Sequence, residues 1–159
     1  MIAILNIKDI VSNLTKKYNT SDPFELADAL KIAVFHEELG SINGYYNNPL
    51  RMKQIHINSS LNDHDAKYTC AHELGHAIMH PTASTPFLRL KTLLSVNKLE
   101  IEANTFAVNL LIPDEIITEN RNYTTEQLSR LLGYNQELIN LRLKTYYQEK
   151  VLDLQNYSM

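Results

Sequence analysis

His72-Glu73-Leu74-Gly75-His76 is the stretch on which the reading of this 159-residue chain turns. Two histidines four residues apart lie on one face of an α-helix, one turn above the other. Both imidazoles can therefore reach a single metal ion, and Glu73 sits beside them, close to any water at that ion. The pattern is H-E-x-x-H, the zinc-peptidase signature with the glutamate as general base. Its flanks support it: Thr69-Cys70-Ala71 and Ala77-Ile78 are uncharged, as suits a helix buried behind a metal site rather than a solvated helix with two incidental histidines. Gly75 inside the helix costs ~1 kcal/mol relative to Ala. Close approach of a neighbouring strand or helix is the expected compensation.

A catalytic zinc takes three protein ligands and keeps one position open. The metzincin extension would place Gly three and His six residues after His76. Those positions hold Met79 and Thr82, which excludes that class. His80 follows His76 by four residues, but a tetrahedral ion rarely takes three ligands from successive turns of one straight helix. It reads instead as a helix-end residue near the C-terminal dipole. The stretch Glu100-Ile101-Glu102-Ala103-Asn104-Thr105-Phe106-Ala107 offers two carboxylates. On a helical wheel Glu100, Ala103, Asn104 and Ala107 share a face, and the alanines let that face pack closely against the histidine helix. Asn104 could then hydrogen-bond a ligating histidine and fix its orientation. Glu102 points about 200° away at ~100° per residue, on the side of Phe106 and Asn109. The wheel favours Glu100 as third ligand over Glu102, and the other carboxylate is expected to be a solvated helix charge.

Composition bounds the rest. With 159 residues, 44% of them hydrophobic and 21% charged, the chain reads as one folded domain with its own core. A net charge of -3 gives no electrostatic case for nucleic-acid or membrane binding as the main activity. The single cysteine, Cys70, admits no internal disulfide, which suits a reducing cytoplasm. It is not at ligand spacing with the histidines and reads as a small buried residue. The first residues lack the basic region and apolar run of a signal peptide, and no apolar stretch approaches the ~20 residues that span a bilayer. A cytoplasmic protein is expected.

Around the motif the periodicities predict an α+β fold. Ile7, Ile10, Val11, Leu14 and Tyr18 predict a first helix. Asp22, Pro23 and Glu25 announce a second with a capping-box pattern. Ile32–Phe35 reads as a strand, Gly40 as a turn, and Ser41–Asn58 as a hairpin whose second strand is Gln54–Asn58. The motif helix runs from about Asp63 to Met79, ended by Pro81. Thr82–Pro86 reads as a loop, Phe87–Val96 as either helix or mobile segment, and Leu99–Leu111 as a helix stopped by Pro113. A capped helix from Thr124 or Thr125, a Gly133-Tyr134-Asn135 turn and a helix over Gln136–Glu149 complete the chain, with a frayed tail after Leu154.

Ala71-His-Glu-Leu-Gly-His76 followed by His80-Pro81, and Glu100-x-x-Ala-Asn-x-Phe-Ala107 running into Leu110-Leu111-Ile-Pro113, resemble the ImmA/IrrE-type metallopeptidases, as does Ile55-His-Ile-Asn58 ahead of the motif helix. The resemblance covers about Ser41 to Asp114. It implies a zincin-like domain over residues 1–159, with a catalytic core at 41–114, a helical region at 124–150, and a small sheet or hairpin packed on the motif helix. It implies a gluzincin-like zinc endopeptidase with one Zn2+ per chain, in which His72, His76 and Glu100 match the ligands and Glu73 the catalytic base. Family members are commonly encoded by phages and integrative elements and are associated with cleaving a helix-turn-helix repressor, which relieves repression.

In this reading the Gln54–Asn58 strand is expected along the cleft, where an edge strand holds an extended substrate by main-chain hydrogen bonds. Tyr45, Tyr46, His56 and Tyr123 are the candidates for stabilising an oxyanion. Two other functions compete. One is a metal-containing binding module or anti-repressor that engages a repressor without cutting it, against which the intact Glu73 argues. The other is a helix-turn-helix DNA-binding protein built on Thr125 to Arg142. The last helix has Arg142, Lys144 and Lys150 but also Glu137 and Glu149, so no clear basic footprint results.

Overall fold

The computed structural model describes residues 4–88 and 93–158. It is a mixed α+β domain: helices α1 (Ile4–Tyr18) and α2 (Pro23–Ala29), strands β1 (Ala33–Glu37), β2 (Gly44–Asn47) and β3 (Gln54–Asn58), then α3 (Asp63–Met79), α4 (Thr85–Leu88), α5 (Leu93–Leu111), α6 (Asp114–Glu119), α7 (Thr125–Leu132) and α8 (Gln136–Tyr157). Among the described residues no helix is long and apolar enough to cross a membrane.

The hairpin is present, with β2 antiparallel to β3 and Tyr46 opposite Ile55. β1 adds in parallel on the other side of β3, giving the order β1-β3-β2. This corrects the expectation for Gln54–Asn58: β3 is the central strand, paired on both sides, and the edge nearer the motif helix belongs to β2. The alternation of β3 turns Ile55 and Ile57, with Tyr46 of β2, onto α3, where they meet Cys70, Ala71, Leu74 and Ala77 in the main core. The opposite face of the sheet carries a row of rings. His56 stacks on Tyr45 at 4.4 Å and on Phe35 at 5.3 Å between centroids.

α3 begins at an Asn62 N-cap, whose side chain accepts from Asp65 N, with Asp63 and Asp65 in the first turn. Both features suit the positive end of a helix. It is layered between the sheet and α5. The glycine in its interior is explained by α5: a methyl group on Gly75 would lie 3.1 Å from Phe106 Cβ and 3.3 Å from the Ala103 α-carbon. The absent side chain lets the two helices approach, and α5 brings its small-residue face against the histidines.

Several boundaries differ from expectation. α5 starts at Leu93, six residues before Leu99; part of the ambiguous Phe87–Val96 stretch, residues 89–92, lies outside the described residues. α4 opens at Thr85, inside the Thr82–Pro86 stretch expected to be a loop, and α6 follows directly on Pro113. Asp22 caps α2 as expected, accepting from Phe24 N and Glu25 N, but Glu25 pairs with the Thr20 hydroxyl and not with the cap backbone. At α7 the capping box is complete between Thr124 and Gln127. α8 continues to Tyr157 without fraying at Leu154. A second apolar cluster, including Ile112, Ile117, Leu128 and Ile139, holds the C-terminal helices onto the end of α5. Arg142 is buried beside it, its Nε donating to Ile112 O at 2.7 Å and its guanidinium pairing with Asp114.

Candidate metal centre

Three ligand-type atoms converge where α3 and α5 pack. One side-chain ligand atom from each of His72, His76 and Glu100 lies within 4.8 Å of the others. The Glu100 carboxylate divides itself between the rings, with Oε2 at 3.1 Å from His72 Nε2 and Oε1 at 3.1 Å from His76 Nε2. Helical periodicity puts both histidines on the α5 side of α3, and the close approach at Gly75 brings Glu100 within reach. Two imidazole nitrogens and a carboxylate, with the remaining side facing a cavity, are a donor set that fits a catalytic zinc.

Hydrogen bonds behind the rings orient them. Asn104, one turn after Glu100, accepts from His72 Nδ1 at 2.7 Å, and its Oδ1 also accepts from the Tyr68 hydroxyl at 2.6 Å. With its proton at Nδ1, a neutral His72 would present the Nε2 lone pair to an ion bound at the cluster. Behind His76 stands His80, the two Nδ1 atoms 3.0 Å apart. His80 Nε2 lies 2.6 Å from Glu102 Oε2.

Electrostatics follow from this crowding. Burial would raise the Glu100 pKa, but hydrogen bonds and charge from His72 and His76 outweigh it and hold the carboxyl well below the usual carboxylate range. Burial would lower the His72 pKa, yet the bond to Glu100 and the charges of Glu73 and Glu100 reverse it, and the net shift is upward. For His76 burial prevails over the pull of Glu100, aided by its histidine neighbours, and the shift is downward. Burial pushes the Tyr68 hydroxyl and the Cys70 thiol up, so Cys70 is an inert core residue.

Glu73 is buried at 6% exposure and lines a cavity of about 300 Å³ together with His72, Glu100, Gly44, Tyr45 and Thr85. The four residues singled out from the motifs thus come together. Glu102 does not join them, and it is not the solvated charge expected of the second carboxylate: it is 6% exposed and engages His80. His80 is likewise more than a helix-end residue. Of the oxyanion candidates only Tyr45 borders the cavity, and its ring turns away from it to stack on His56 across the far face of the sheet. Tyr46 is in the core with its hydroxyl donating to Pro81 O, His56 is on the far face of the sheet against Glu37, and Tyr123 is 46% exposed. Asn104 was accessible from the wheel. The Tyr68 contact was not signalled by spacing.

The profile of the IrrE N-terminal-like domain, a peptidase family, matches residues 27–144. The chain is 45% identical over 139 residues to immunity region protein 2 of Bacillus phage phi105, covering 86% of this chain and 88% of that one. It is 31% identical over 119 residues to Metallopeptidase ImmA of Bacillus subtilis strain 168, covering 74% of this chain and 69% of the relative. Among solved structures, a Mycobacterium tuberculosis transcriptional regulator superposes with a TM-score of 0.59 at 16% identity. That match covers 88% of this chain and 46% of the solved one, and is a likeness of fold.

Proposed function

This chain belongs to the metallopeptidase family of the IrrE N-terminal-like domain, and from that premise we propose that it is a zincin-like, gluzincin-type zinc endopeptidase whose substrate is a helix-turn-helix repressor of a phage or mobile element. The observation that carries the chemistry is the convergence of His72, His76 and Glu100 beside Glu73. The name of the phage relative, an immunity region protein, supports the choice of substrate.

Two imidazole nitrogens and one carboxylate would hold the zinc. When bound, zinc supplies Lewis acidity, activating a water and polarising the scissile carbonyl. Glu73, in the same cavity, takes a proton from the attacking water and delivers it to the leaving amine. Its burial keeps competing solvent away from that exchange. Gly44, on the free edge of β2, suits main-chain pairing with an extended substrate.

Incubation with the repressor encoded beside this gene, with and without a chelator, tests both parts by mass spectrometry. A chelator-sensitive cut at one position is expected. Displacement of the uncut repressor from DNA would favour a binding module instead. The DNA-binding alternative loses ground at α8, where Arg142 is spent on Ile112 and Asp114 inside the core; salt-sensitive DNA binding by the isolated protein would revive it. A cytoplasmic site of action accords with such a substrate.

A further inference from the structure

An endopeptidase holds its substrate on both sides of the bond it cuts, and the rim of β2 can hold only a short part of one. Past Gly44 the Thr85 hydroxyl accepts from Tyr46 N at 2.7 Å and donates to Tyr46 O at 3.2 Å. Both main-chain groups are therefore taken, and the rest of the substrate must be gripped elsewhere.

A larger cavity, of about 640 Å³, reaches the metal cluster from the side of α8. Glu100 is a wall of this cavity and also of the one that holds Glu73. The two thus meet at the same carboxylate, one toward the sheet and the other toward α8. One wall of the larger cavity is the α5 stripe containing Ile101 and Asn104, and the other is the α8 stripe of Leu138, Leu141 and Lys144. Residues three and four apart share a helix face, so each wall is continuous. Leu138 and Leu141 belong to the second apolar cluster, with Leu141 half-buried, while Ile101 is 44% exposed. An apolar strip therefore lies open beside the metal cluster.

The groups bordering the strip suit a polypeptide better than a lipid or another wholly apolar ligand. Asn97 and Asn140 carry amides, which donate and accept and so serve a peptide's N–H and C=O alike. Glu137 and Lys144 stand on the α8 wall, both exposed. They are about 10 Å apart along the helix, the span of about three residues of extended chain.

We propose that the groove between α5 and α8 is a substrate subsite that takes a large apolar side chain close to the bond cut at the metal, with Ile101 and Leu141 setting its preference. This rests on the peptidase reading of the metal centre and adds to it a chemical class of substrate: a segment with a bulky apolar residue within about three residues of the cut.

The test gives the zinc-loaded full chain a mixture of peptides randomised on both sides of a central bond, with and without a chelator, and reads the products by mass spectrometry. The wild type should select leucine, methionine or phenylalanine at one position near the cut. Ile101→Trp narrows the groove from a side chain that is largely exposed, where substitutions change stability little. It should move the selection at that position to alanine or valine and lower kcat/KM on the peptides preferred by the wild type about tenfold or more. Leu141→Ala, on the opposite wall, should move the selection toward larger rings. Zinc content should stay stoichiometric in both. No apolar selection by the wild type, or a selection that neither variant moves, overturns the proposal. So does loss of activity accompanied by loss of zinc, which would make Ile101 a support for Glu100 and not a subsite residue. Chelator-sensitive cutting with an unmoved preference removes this proposal alone; the lack of any chelator-sensitive cut by the wild type removes the peptidase reading with it.

Discussion

Asn104 holds His72 from behind: its Oδ1 accepts from the ring Nδ1 at 2.7 Å and, on the same oxygen, from the Tyr68 hydroxyl at 2.6 Å. Asn104→Ala removes both hydrogen bonds at once, freeing the ring to rotate and to exchange tautomers. Zinc should bind about 10–100-fold more weakly, while Asn104→Asp, which keeps an acceptor oxygen, should lose less. Chelator competition on the folded variants measures the difference.

His76→Ala and Glu100→Ala should each lose stoichiometric zinc, read by elemental analysis of the purified protein. Glu73→Gln separates holding the metal from using it. That variant should keep zinc and lose cleavage, since an amide cannot accept the proton of the attacking water. Full turnover by Glu73→Gln would remove the general base from the mechanism.

Gly75→Ala should destabilise the protein despite alanine's better helix propensity. The added methyl meets Phe106 Cβ at 3.1 Å and the Ala103 α-carbon at 3.3 Å, and backbone cannot swing aside as a long side chain can. Overpacking costs about 1–3 kcal/mol, against a propensity gain of ~1 kcal/mol. Because the displaced helix carries Glu100, zinc affinity should fall together with the melting temperature, which thermal unfolding with and without zinc would show.

Asp114 sets an acid limb to stability. Burial would raise its pKa, but Lys8, at 2.9 Å, and the buried Arg142 outweigh that and lower it. A carboxyl with a lowered folded pKa contributes stability above its unfolded value of ~3.9, and that contribution is lost as pH falls through the folded value. Denaturant midpoints should therefore drop below about pH 4. Asp114→Asn should flatten that drop and destabilise the protein at neutral pH by about 1–3 kcal/mol, by leaving Arg142 short of a partner. Equilibrium unfolding across pH measures both effects.

What was legible in the sequence was local. The spacing of His72 and His76, the shared face of Glu100 and Asn104, and the cost of Gly75 each follow from one helix's periodicity, and each is where it was expected. What escaped depends on two segments meeting. Ile32–Phe35 is recognisable as strand-like, yet nothing within five residues says that it pairs in parallel with Gln54–Asn58 and encloses it. Glu102 does lie on the side of α5 away from Glu100, but the wheel is silent on what covers that side. One signal was present: Glu102 shares its side with Phe106, a residue that seeks the core. A carboxylate beside it needs a partner, and His80 was the nearby histidine to which no ligand role fell.

The contact between Tyr46 and Thr85 bears on how the protein behaves in a crowded solution. The Thr85 hydroxyl accepts from Tyr46 N at 2.7 Å and donates to Tyr46 O at 3.2 Å, so one side chain answers both main-chain groups that the outer rim of β2 would offer there. An exposed strand rim is a template on which another chain can add and seed aggregation. Here the template is interrupted after Gly44, too short for a second molecule to zip along. The open register at Gly44 stands alone, and indiscriminate sheet growth is denied the next one.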